Sequence, residues 1–75
     1  MIESLVLIET TTANEESLRS LSLSNAKQLV LGRAAAMGTV LHIAATSADD
    51  LTNALQKFAR VQGVKGVLTL TIRNS

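Results

Sequence analysis

The chain has no cysteine and no proline, and its one aromatic residue is Phe58. Each absence removes a class of function. Without cysteine, neither a disulfide framework nor a thiolate metal site is open to it, and the Cys-x-x-Cys loop of heavy-metal carriers is excluded. Without aromatics on its strands, the chain cannot stack RNA bases. An excess of one charge is also missing: Lys and Arg total 7, Asp and Glu total 6, and the net charge is +1. The basic residues are scattered, so no direct nucleic-acid partner is expected. No apolar run approaches the roughly 20 residues of a membrane span. The run at residues 5–8, preceded by Glu3, is too short for a signal peptide. The expectation is a soluble, cytoplasmic protein without a membrane partner.

Hydrophobic residues make up 47% of the 75, which argues against disorder. This length allows one domain, residues 1–75. A chain so short buries only about 60% of its unfolded surface. Association with other chains is the remedy left to it.

Local patterns give an element order. Residues 5–8, Leu-Val-Leu-Ile, read as a strand. A helix follows, with Thr12 and Glu15 as a capping box and Asn14 as the alternative cap. Leu18 and Leu21 share one of its faces, and the serines Ser20, Ser22 and Ser24 end it near Leu23. Residues 27–31 predict a second strand closing at Gly32. Residues 32–38 connect a hairpin, and residues 39–46 predict the third strand. Ser47 with Asp50 three residues on is the clearest helix start. Leu51, Leu55 and Phe58, with Ala54 and Ala59, form one apolar stripe, and Gly63 is a left-handed stop. Residues 67–72 predict the last strand.

Strand, helix, strand occurs twice. That order predicts an α+β, ferredoxin-like βαββαβ fold: a four-stranded antiparallel sheet with two helices on one face. Right-handed crossovers place the first and third strands centrally. Both central strands are apolar on both faces, since Leu5 and Leu7 oppose Val6 and Ile8, while Leu41 and Ile43 oppose Val40 and His42. Two helices cover one face. The other is expected to pack on a second copy in a two-fold dimer, a dimeric α/β barrel, with Leu5, Leu7, Leu41 and Ile43 as candidate interface residues. The pattern leaves open which face meets the helices.

The sequence offers little chemistry. His42 is the single histidine, and a lone strand histidine is more often an interface or core residue than a ligand. Glu15-Glu16 and Asp49-Asp50 each open a helix, where capping and the helix dipole explain them. No Gly-x-Ser-x-Gly elbow is present. The expectation is therefore no enzyme, no catalytic residue, no metal and no cofactor. The segment 32–38 is a candidate ligand site through Gly32, Arg33, Ala34, Ala36 and Gly38. Its glycines allow close backbone approach, and Arg33 supplies a cation for a small carboxylate; the bland alternative is a long hairpin loop.

Several stretches resemble the effector-binding half, or RAM domain, of the leucine-responsive and asparagine-regulator family of transcription regulators. Residues 4–8 resemble its opening strand, and Leu29-Val30-Leu31-Gly32 its second strand and closing glycine. Residues 50–62 resemble its second helix, and Gly63-Val64-Lys65-Gly66-Val67 its turn into the last strand. The resemblance implies a stand-alone domain for sensing amino-acid-type effectors, without a helix-turn-helix half. It also implies sheet-to-sheet homodimers, rings of dimers, effectors bound at loops between dimers, and modulation of a partner regulator protein. The chain departs from the family where an aspartate usually follows the hairpin glycine: Ala34, Ala35 and Ala36 stand there. Two other classes share the element order. One is a small assembly chaperone of the nitrate reductase accessory type, which binds a partner peptide on its sheet. The other is a small dimeric α/β-barrel enzyme, which normally has more aromatics.

Overall fold

The computed structural model describes residues 1–10, 15–34 and 36–74. Its elements are β1 (Ile2–Glu9), α1 (Glu15–Arg19), β2 (Ala26–Arg33), β3 (Thr39–Ala45), α2 (Ala48–Ala59) and β4 (Gly66–Asn74). The strands form one antiparallel sheet in the order β2-β3-β1-β4. The first and third strands are central, and the fold is a small α+β, ferredoxin-like one. Among the described residues no helix is long and apolar enough to cross a membrane.

Both helices lie on one face. Val6 and Ile8 of β1 and Leu41, Ile43 and Ala45 of β3 are buried with Leu18 of α1 and Leu51, Ala54 and Phe58 of α2. Ser47 caps α2: its Oγ accepts the Asp50 amide at 3.2 Å and donates to Asp50 Oδ2 at 2.9 Å. That satisfies one of the free amides of the first turn. After Ala59 the chain makes a further turn, and Gly63 takes a left-handed φ of 91°. The expected caps of the first helix, Thr12 and Asn14, lie outside the described residues, as does Ala35.

The first helix is shorter than expected and stops at Arg19 rather than near Leu23. Leu21 and Leu23 still pack against the core, but from beyond the helix. Gln28 of β2 helps to fix the end, its Nε2 donating to the carbonyls of Leu18 (2.7 Å) and Leu21 (3.0 Å). Lys57 of α2 donates to the Ser22 carbonyl at 3.1 Å and ties the segment down. The edge strands, in contrast, outrun the apolar pattern. Ladder pairing continues to Ala26 and Arg33 on β2 and through Arg73 on β4, beyond the expected strands.

Each edge strand carries one extra residue. On β2, Val30 stands opposite Leu41 and Gly32 opposite Val40, which leaves Leu31 unpaired. On β4, Thr69 stands opposite Val6 and Thr71 opposite Leu5, which leaves Leu70 unpaired. Such bulges bend a strand and increase its twist.

Candidate functional site

The register decides which residues stay uncovered. Val6 faces Leu41 beneath the helices, so the next pairs, Leu5 with His42 and Leu7 with Val40, lie on the opposite face. Cross-strand partners extend that face: Leu29 beside His42, Lys27 beside Ala44, Leu68 beside Leu7, and Thr71 beside Leu5. No helix of the described chain covers it. Leu29 is 61% exposed and Leu68 50%. Leu7, at the centre, is 4% exposed and lies outside the helix-side cluster.

The four expected interface residues are therefore split. Leu5 and Leu7 lie on the uncovered face. The expectation for Leu41 and Ile43 is corrected: both are fully buried under the helices and have no surface to offer. An odd-numbered residue of β1 stands opposite an even-numbered residue of β3, so the two leucine pairs cannot share a face.

One end of the uncovered face holds a polar cluster. Glu3 Oε1 lies 3.2 Å from His42 Nε2, and Arg73 Nη2 donates to Glu3 Oε2 at 2.9 Å. Arg73 reaches this position because of the Leu70 bulge. Without the extra residue, Ile72 would stand opposite Glu3. The hydrogen bond and charge of Arg73 hold the Glu3 carboxyl below its ordinary value of 4.5. His42 adds to this, and partial dehydration opposes it. A depression of about 220 Å3 opens here, lined by Glu3, Ser4, Leu5, His42, Thr71 and Arg73. The floor is firm, because Ser4 is buried and donates from Oγ to the Thr71 carbonyl at 2.7 Å.

The hairpin residues sit elsewhere. The Ala34 amide donates to the Gly38 carbonyl, and the Met37 amide to the Ala34 carbonyl, both at 2.9 Å. These two amides are thus used within the turn. Gly38 is buried with a φ of 153°, and a Cβ there would overlap the Ile8 carbonyl. Gly32, at φ 156°, faces open space. Arg33 stands opposite Thr39 and donates to its hydroxyl at 3.3 Å. Thr39 is fully buried on the helix side, so Arg33 does not join the uncovered face. Ala36 is exposed at the turn.

A wider depression, about 370 Å3, is lined by Arg19, Gln28, Leu29 and Val30. Beside it Gln28 Oε1 is sealed from solvent and meets no donor. Such an orphaned acceptor costs about 1–3 kcal/mol. Sequence reasoning identified His42 but missed Glu3 and Arg73. The strand alternation that places Leu5 and Leu7 together also places Glu3 with them, which is the signal that was there to use. Among the described residues, no three of His, Asp and Glu come together as a metal-binding group.

No family model matches the chain, and no curated protein or solved structure matches it.

Proposed function

We propose that this chain is a non-enzymatic association and sensing domain, whose working form is a homodimer packed uncovered face to uncovered face. The observation that carries this reading is the apolar surface of Leu5, Leu29, Val40 and Leu68, around the enclosed Leu7, on the side of the sheet away from both helices. A second copy is the occupant that fits. The protein measures 31 × 20 × 16 Å. Four strands side by side present roughly 400 Å2 in projection, more when side-chain relief is counted. That is of the same order as the roughly 800 Å2 each partner contributes to a standard interface. The bulges at Leu31 and Leu70 interrupt both sheet edges, which disfavours edge-to-edge pairing and leaves the face as the route.

The resemblance to effector-binding domains of transcription regulators supplies the sensing half of the proposal. On that reading an amino-acid-type effector binds near Gly32, Arg33, Ala34, Ala36 and Gly38, and the dimer, or a ring of dimers, passes the signal to a partner regulator. Sedimentation equilibrium at micromolar concentration tests the association. A species of twice 7.9 kDa is expected. A chain that stays monomeric with its sheet exposed overturns the dimer, and the face then belongs to a partner peptide, as in the assembly-chaperone class.

A further inference from the structure

His42 lies on the uncovered face, between Leu29 of β2 and Leu5 of β1. Its side chain is about one-third exposed, so a partner sheet would cover it. The charged groups around it come from every neighbouring element. Glu3 of β1 lies 3.2 Å away, Arg73 of β4 holds the other oxygen of Glu3, and Lys27 of β2 lies two residues from Leu29 on the same face. The α-amino group of Met1 lies two residues ahead of Glu3.

The charge balance of this cluster depends on the imidazole. With His42 neutral, the Glu3 carboxylate and the Arg73 guanidinium cancel, Lys27 is left as one excess cation at that end of the face, and Nε2–H of the imidazole donates to Glu3. With His42 protonated, one carboxylate serves two cations, and the excess, counted with Lys27, grows from one to two. In water the excess is screened. Under a second sheet it is not, and the partner brings an identical excess. We infer that His42, through its contact with Glu3 and Arg73, makes pairing of the uncovered faces pH-dependent, holding the dimer together when neutral and loosening it when protonated. This rests on the dimer proposed above.

The sign follows from linkage. Association that favours the neutral imidazole is strongest above the range where histidine gains its proton and weakens as pH falls through it. Each dimer buries two such imidazoles, so the dissociation constant is expected to rise by up to about a hundredfold as pH falls from about 7.5 to 5.5.

The test is sedimentation equilibrium of the full chain across that range at fixed ionic strength, for the natural sequence and for His42→Gln. The glutamine amide still donates to Glu3 but takes up no proton. The natural chain should loosen as pH falls and the variant should hold one affinity throughout. Because the chain has a single histidine, its proton resonances add a readout that needs no variant. The imidazole should titrate at lower pH in concentrated, dimeric samples than in dilute, monomeric ones. A dimer of constant or increasing affinity at low pH overturns the switch and leaves the dimer standing. So does a pH dependence that survives His42→Gln, which would place it on a group other than the imidazole. A monomer at every pH overturns the dimer itself and the switch with it.

Discussion

Leu68 of β4 stands directly opposite Leu7 of β1 on the uncovered face, and the two are unequally enclosed: Leu7 is 4% exposed and Leu68 50%. A charge at position 7 would be buried even in a lone chain and would confound folding with association. A charge at position 68 would not. Leu68→Asp is therefore expected to leave the circular-dichroism spectrum unchanged and to raise the dimer dissociation constant at least tenfold. Leu41→Asp should fail differently. Its carboxylate would lie in the helix-side core, and a cost above about 3 kcal/mol should unfold the chain. A Leu68→Asp dimer as tight as the natural one would place the interface elsewhere.

The ion pair between Glu3 and Arg73 makes a second prediction, about stability. The folded state holds the Glu3 carboxyl below its ordinary value of 4.5. A depressed folded value contributes stability above the unfolded one, and that contribution is lost as pH falls through the folded value. Arg73→Ala should lower urea stability slightly at neutral pH and shift the acid-unfolding limb upward, the two chains converging in strong acid. The Arg73 side chain is largely exposed, so the effect is small and should shrink in high salt. Equal acid limbs would show that the pair contributes nothing.

The two hairpin glycines should respond unequally to alanine. Gly38→Ala forces a Cβ into the Ile8 carbonyl at a φ of 153°, so backbone and sterics both oppose it. Gly32→Ala meets only the backbone cost, since no atom lies within 4 Å of the new carbon. Unfavourable backbone regions cost about 1–3 kcal/mol. Gly32→Ala should fall in that range and Gly38→Ala beyond it, as read from denaturant midpoints.

Ser47→Ala removes the cap of α2, and with it the acceptor for the Asp50 amide. A loss of about 1 kcal/mol is expected. Ser47→Asp should restore most of it, because the carboxylate accepts the same amide and suits the helix dipole.

The effector part of the proposal is tested by calorimetry with the common amino acids. If Arg33 holds a ligand carboxylate, Arg33→Ala should weaken binding by about tenfold to a hundredfold. Its present bond to the Thr39 hydroxyl would have to yield or be shared. Binding no better than millimolar, or unchanged in Arg33→Ala, removes the hairpin as an effector site.

The fold was legible because its signals are local. Ser47 with Asp50, the stripe through Leu51, Leu55 and Phe58, and the β-branched runs each report on a few neighbouring residues. The uncovered face was legible as a fact, since β1 and β3 are apolar on both sides, but its membership was not. Grouping Leu5 and Leu7 with Leu41 and Ile43 requires the pairing register, which tertiary contacts set. The Glu3–Arg73 pair depends further on one unpaired residue, Leu70, and nothing in Val67-Leu68-Thr69-Leu70-Thr71-Ile72 marks which position will bulge. The end of α1 was missed for a similar reason: it is fixed partly by Gln28, from another element.

That dependence has a consequence in time. Five helical residues are too few to persist alone in water, and two carbonyls at the end of α1 are held by a side chain that arrives with β2. The twelve residues of α2 carry their own cap and stripe. The second helix can gather before the sheet is complete, whereas the first waits for it. In hydrogen exchange α1 should open first and close last, and it should do so whenever the outer strand beside it lets go.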